Sequence, residues 1–274
     1  MKLPSSADPL ATLLRSEDPD IDLPRAALLV EADHAADFDM EATLESYREF
    51  VAGATRELSG DLQPIDIVRT LNHYFFVHNR MRGNTVDYYD PRNCFLSQVL
   101  CRGLGIAATF AIPYLGALRE AGHTCHPVIL PGQLVLRVGA DLFVDLFDGG
   151  QVFDTAEALR KARQTIGGKV MAPHEPAPLT NKDLALRILR TLKRAYRRSG
   201  DADHALVSVI RLLQATPGRL PEIRDRGMLH HDLGHWWRAV DDLSRYLART
   251  TEAHDTYDVQ STLAHAYDLA IRLN

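Results

Sequence analysis

The run Arg82-Gly83-Asn84-Thr85-Val86-Asp87-Tyr88-Tyr89-Asp90-Pro91-Arg92-Asn93-Cys94 decides how the rest of the chain is read. It has no helical period and is dense in turn formers and aromatic residues, which predicts a loop. Behind it Leu96, Val99, Leu100 and Leu104 form an apolar helical face. Asn93 is a good N-cap for such a helix, so Cys94 is expected in its first turn, with Gly103 and Gly105 ending it about three turns later. Ala107–Ala121 predicts a further apolar helix, kinked or started by Pro113. The period then changes from helical to alternating. Residues 127–130, 134–138 and 142–146 are short β-rich runs separated by Pro131-Gly132 and Gly139-Ala140-Asp141, which predicts a small antiparallel sheet ending at Gly149-Gly150.

Upstream, three amphipathic helices follow from Pro24 onward: one around Ala27, Leu28 and Val30, one carrying Leu44, Tyr47, Val51 and Ala54, and one carrying Ile65, Val68, Leu71 and Phe75. Residues 1–23 read as a loose lead-in. Downstream, 166–180 reads as a linker. From Asn181 the chain is helical again and repeats: Gly200 and Gly234, Ala205 and Ala239, and Leu213 and Leu247 are each 34 apart. That is the tetratricopeptide period. The expected division is therefore 1–165 as a mixed domain with its helical scaffold, 166–180 as linker, and 181–274 as helical repeats.

Composition excludes several classes of function. With 46% hydrophobic and 24% charged residues the chain is an ordinary globular one, and a net charge of −5 does not suit a nucleic-acid coat. The acidic first 60 residues (13 acids and 5 bases) offer an internal partner to the seven bases of 182–198, so these are read as a solvated helix face rather than as a nucleic-acid site. Three cysteines make no disulfide framework, and no signal peptide or membrane span is legible, so a cytoplasmic protein is expected. His231 and His235 have the spacing of a helical zinc pair, but Gly234 lies in the expected turn between them. Neither metal nor cofactor is expected.

The ordered set Arg82-Gly83-Asn84, Asp87 to Asn93, Gly105-Ile106, Pro131-Gly132, and Asp145 to Gly150, followed by Glu222 to Gly227, resembles the bacterial invasion-regulator (SirB-type) family. The resemblance implies an α+β, transglutaminase-like (papain-like) core with N-terminal helices and a small antiparallel sheet, followed by all-α tetratricopeptide repeats. In active members of the wider superfamily a Cys, a His and an Asp or Asn form the catalytic set. Cys94 matches the first position and Asp145 the third, but Gln133 stands where related chains carry His.

Acyl transfer through a thiolate needs a group that takes the thiol proton and later returns one, and a glutamine amide does neither. A helix N-terminus would help ionise Cys94, but the proton carrier is missing. His126, on the strand before Gln133, is the best substitute base. The main expectation is thus a non-catalytic regulatory protein that binds a protein or peptide partner through its repeats. Tyr88, Tyr89 and Asn93 would line its cleft and Trp237 a peptide groove. The alternative is a cysteine hydrolase or acyltransferase using Cys94 with a non-standard base.

Overall fold

The computed structural model describes residues 3–5, 7–16, 21–35, 38–56, 58, 62–165, 177–250 and 255–272. By internal contacts it divides into two units, Asp18–Ile188, and Met1–Glu17 together with Leu189–Asn274. The boundary falls inside one helix, Asn181–Ser199, not in the expected linker, most of which (166–176) lies outside the described residues. No helix among the described residues is long and apolar enough to cross a membrane.

The stretch 1–23, read as a loose lead-in, contains a helix that the sequence did not announce. Helix α1 (Pro9–Arg15) starts on Asp8, whose carboxylate accepts from Ala11 N at 2.9 Å, with Pro9 at a first-turn position where its missing N–H costs nothing. Leu10, Ala11 and Leu14 are buried, and Asp8 pairs with the buried Arg211 at 2.7 Å. These contacts join residues 8–15 to the repeat unit, so that part of the lead-in is a packed element of the repeat unit and not of the mixed domain.

In the Asp18–Ile188 unit, helices α2 (Leu23–Ala32), α3 (Met40–Arg56) and α4 (Pro64–Asn72) form the expected scaffold. A π-helical turn, His73–His78, leads to the short strand β1 (Arg82–Gly83). After the loop come a 3-10 turn (Pro91–Cys94), helix α5 (Leu96–Arg102), strand β2 (Leu104–Gly105) and helix α6 (Ala107–Glu120). Strands β1 and β2 pair in parallel. Helix α6 runs through Pro113 without ending there.

Strands β3 (Cys125–Leu130), β4 (Gln133–Val138), β5 (Leu142–Asp145) and β6 (Gln151–Asp154) form an antiparallel meander in that order. Three of them were expected; β6, short and alternating polar residues with Val152 and Phe153, was not. Leu130 pairs with Gln133 around Pro131-Gly132, and Gly132 has φ +85°, the left-handed position of a tight turn with proline before it. Because side chains alternate across a strand, the register puts Val128, Leu130, Gln133, Val135, Phe143, Asp145 and Phe153 on one face. There Val128, Leu130, Val135, Phe143 and Phe153 pack with Ala158 of helix α7 (Thr155–Thr165). Leu134, Leu136, Val138 and Val144 fill the other face.

In the second unit, helix α8 (Asn181–Ser199) contributes its C-terminal half. Helices α9 (Ala202–Ala215), α10 (Leu220–Asp232), α11 (Trp236–Leu247) and α12 (Thr256–Arg272) follow. Gly200 (φ +77°) and Gly234 (φ +73°) turn the chain after α8 and after α10, and Ala205 and Ala239 are fully buried. The run Glu222 to Gly227 explains itself here. Lys193 donates to Glu222 at 2.5 Å and to Asp225 at 2.7 Å, Arg226 holds both oxygens of Asp242, and Gly227 lies against Leu243 of α11. Lys193, expected on a solvated face, is buried because two carboxylates meet it.

Candidate functional site

The loop before Cys94 is shaped from inside by Asn93. Its side-chain amide donates to the carbonyls of Asp87 (2.8 Å) and Tyr88 (3.2 Å) and accepts from Asn84 Nδ2 (3.1 Å), while Thr109 donates to its backbone carbonyl (2.9 Å). Asn93 is wholly buried. It is therefore the loop's hub and not the N-cap of α5. That cap is Phe95, and its side chain makes no capping bond. Asp90 caps the 3-10 turn through Arg92 N (2.9 Å). Burial pushes the Asp90 carboxyl up, but the hydrogen bonds and charge of Arg92, with Arg102, hold it below the usual carboxylate range.

Cys94 ends the 3-10 turn, so it stands before α5 rather than in its first turn. The amide of Ser97 in that first turn is already taken by a carboxylate: Glu31 of α2 accepts from Ser97 N at 3.1 Å and from the Ser97 hydroxyl. Cys94 is buried, and burial together with the charge of Asp90 pushes its thiol far above the ordinary value. Both effects favour the protonated thiol and oppose the lowering that a helix N-terminus would give.

Gln133 and Asp145 do come together. Both line a cavity of 270 Å³ whose wall also includes Tyr88, Phe147, Ile106, Ala107, Ala108, Gly132, Leu134 and Arg187. Two short devices place them. The Pro131-Gly132 turn sets Gln133 at the first position of β4, and Asp145 closes β5 by accepting from Phe147 N (3.0 Å) and Asp148 N (3.2 Å). Burial raises the Asp145 carboxyl above its usual range despite those two bonds. The rim is aromatic: Tyr88 lies edge-on to Phe147 (5.7 Å between centroids). Tyr89, edge-on to Tyr88 (5.2 Å), and the wholly buried Asn93, both expected in the cleft, stand behind this wall rather than in it, because packing of the loop turns them away.

Among the described residues, neither a thiol nor an imidazole belongs to that wall. His126 pairs with Arg137, four residues along the strand from the Leu130–Gln133 pair, and is exposed. Four residues of strand are about 13 Å, so His126 is set at the far end of β3 from the cavity. Arg187 was counted in the basic run, yet it faces a cavity; its place at the start of α8 was visible in sequence, its inward direction was not. Trp237, half-exposed, lines a separate 510 Å³ groove of the repeat unit with Ile210, His230, Arg238, Asp241 and the N-terminal Leu3 and Pro4 among its wall residues.

Comparison with known proteins agrees with this architecture. A model of the transglutaminase-like superfamily matches residues 41–190, and a tetratricopeptide-repeat model matches 192–264. The two meet inside α8, close to the division of the structure at Ile188 and Leu189. A UPF0162 protein of Xylella fastidiosa (strain Temecula1) is 32% identical over 266 residues, covering 93% of this chain and 92% of that one. A UPF0162 protein of Pasteurella multocida is 25% identical over 71% of this chain and 75% of its own length. F-box only protein 21 of Pongo abelii is 24% identical over 73% of this chain but 34% of its own. No solved structure gives a significant match. The chain belongs to the UPF0162 family, within the transglutaminase-like superfamily.

Proposed function

We propose that this chain is a non-catalytic, partner-binding protein in which a degenerate transglutaminase-like domain supplies a cleft and the tetratricopeptide unit supplies a protein- or peptide-binding surface, working in the cytoplasm as a SirB-type regulator. One observation carries the reading. Gln133 and Asp145 share the cleft, but among the described residues the groups that would form and break an acyl bond do not, since no imidazole and no thiol of these residues lines the wall. What the cleft retains suits recognition: aromatic rims at Tyr88 and Phe147, a cation at Arg187, a carboxylate at Asp145 and an amide at Gln133. The half-exposed Trp237 in the repeat groove is the second recognition element.

The test has two parts. The protein is assayed with activated acyl esters and amine acceptors beside Cys94→Ser; equal background rates are expected, and a thiol-dependent rate would contradict the reading. Affinity capture then compares the native chain with Arg187→Glu in the cleft and Trp237→Ala in the groove. Loss of a specific partner with one of them is expected, and no specific partner with the native chain would overturn it.

A further inference from the structure

The four-residue spacing of His231 and His235 suggests a helical metal pair, and the structure takes that pair apart. Gly234 is left-handed (φ +73°), and His235 becomes the residue that precedes α11, where its Nδ1 lies 3.2 Å from Nδ1 of His230. His231 turns instead to α12, where its Nε2 lies 2.9 Å from Nδ1 of His265. The two residues are 34 apart, one repeat period, so they occupy corresponding places on helices that come together in the same unit.

We propose that His231 and His265 form a two-imidazole site for a divalent transition cation on the repeat unit. Two imidazole nitrogens bound to a tetrahedral ion at ~2.0–2.1 Å lie roughly 3.3 Å apart, so the present 2.9 Å needs only a slight opening. The tautomers are arranged for it. Asp232 Oδ1 stands 3.5 Å from Nδ1 of His231, which favours the proton on that nitrogen and leaves Nε2 with its lone pair toward His265. The contact to His265 then requires a proton on His265 Nδ1. On coordination His265 changes to its other neutral tautomer: Nδ1 gives up the shared proton to water while the exposed ring's Nε2 takes one from water, so both imidazoles stay neutral and His231 Nε2 and His265 Nδ1 both donate to the metal. His265 is exposed, so an ion can reach the pair. Among the described residues no group of three or more His, Cys, Asp and Glu side chains is arranged to hold an ion, so water completes the coordination. Imidazole ligands select copper, nickel and zinc over magnesium and calcium, and copper binds most tightly in the Irving–Williams order.

Trp236 reports on the site directly, with its ring 5.5 Å from His231 and 6.5 Å from His265. The full chain without an affinity tag and carrying Trp237→Phe, which leaves Trp236 as the single tryptophan, is titrated with CuCl2, ZnCl2 and MgCl2 while tryptophan emission is followed. Saturable quenching by Cu2+ with one-to-one stoichiometry is expected, displaced by excess Zn2+ and untouched by Mg2+. His265→Ala, at an exposed position, is expected to weaken binding by at least about tenfold, and Asp232→Asn by a smaller factor. His126→Ala, on the other unit, should leave the curve unchanged, and melting curves establish that each variant is folded. Quenching that survives His265→Ala in a folded protein, or that His126→Ala removes equally, would overturn the proposal.

Discussion

Glu31 of α2 accepts hydrogen bonds from both the amide and the hydroxyl of Ser97, 66 residues later, and so closes the start of α5. A position that could serve an incoming anion is filled by the protein's own carboxylate. Burial raises the Glu31 carboxyl above its ordinary value, and the bonds from Ser97 offset this only in part. A raised folded value means that the group's contribution to stability is complete below its unfolded value of 4.5 and is lost as pH climbs through the folded value. Glu31→Gln, which does not titrate, should therefore gain on the native chain between pH 4.5 and pH 7.5. Glu31→Ala should cost about 1–3 kcal/mol by leaving the Ser97 donors without their acceptor. Calorimetry of the three proteins at the two pH values checks both statements; a constant difference between native and Glu31→Gln would refute the titration.

Gly227 tests how closely α10 and α11 meet. A Cβ there would stand 2.6 Å from Leu243 Cδ2, 2.8 Å from Leu243 Cγ and 3.1 Å from Asp242 Cβ. In an exposed helix Gly→Ala gains about 1 kcal/mol. Here overpacking opposes that gain, and Gly227→Ala should instead destabilise the repeat unit by about 1–3 kcal/mol. Both tryptophans lie in α11, so tryptophan emission during urea unfolding reads this unit. An unchanged or raised midpoint would show that the helices can part at no cost.

Lys193 is the centre of a buried charge network. Its ammonium bridges Glu222 and Asp225, while Asp225 also takes Arg224, which reaches Asp255. Burial alone would raise the Asp225 carboxyl, but Lys193 and Arg224 hold it below the usual range. Lys193→Ala leaves two buried carboxylates without their main cation and should cost about 3–5 kcal/mol. Because the folded value of Asp225 is depressed, its contribution is present above the unfolded value of 3.8 and fades as pH falls through the folded one. The same urea experiment at pH 7 measures the loss; a change under 1 kcal/mol would mean that water reaches the carboxylates, since only then does removing their partner cost about what a surface pair does.

What could be read from the chain was what local chemistry decides. Pro131-Gly132 announced the turn that sets Gln133, and the 34-residue spacing of Gly200 and Gly234 announced the repeats. What could not be read depended on distant partners. Asn93 looks like a helix cap until Asn84, Asp87 and Tyr88 are seen to claim its side chain. Residues 9–15 look too sparse for an element until Arg211, some 200 residues on, pairs with Asp8. Lys193 looks solvated until Glu222 and Asp225 arrive from another helix. In the cleft, the pairing of Gln133 with Asp145 was legible from family-like order, whereas the burial of Cys94 and the inward turn of Arg187 come from packing.

The central claim is that the cleft lacks working acyl-transfer chemistry, and Cys94 is where to measure it. Native protein is treated with a thiol-alkylating reagent at neutral pH, and the modified cysteines are mapped over time by mass spectrometry. Cys101 is exposed, while Cys94 and Cys125 are buried with thiols pushed up, in the latter to about 12. Cys101 should therefore react first, and Cys94 only as the fold opens, with a rate that rises steeply in urea. Rapid modification of Cys94 in the native protein, faster than Cys101 and abolished by Cys94→Ser, would contradict the account and return the chain to the cysteine enzymes.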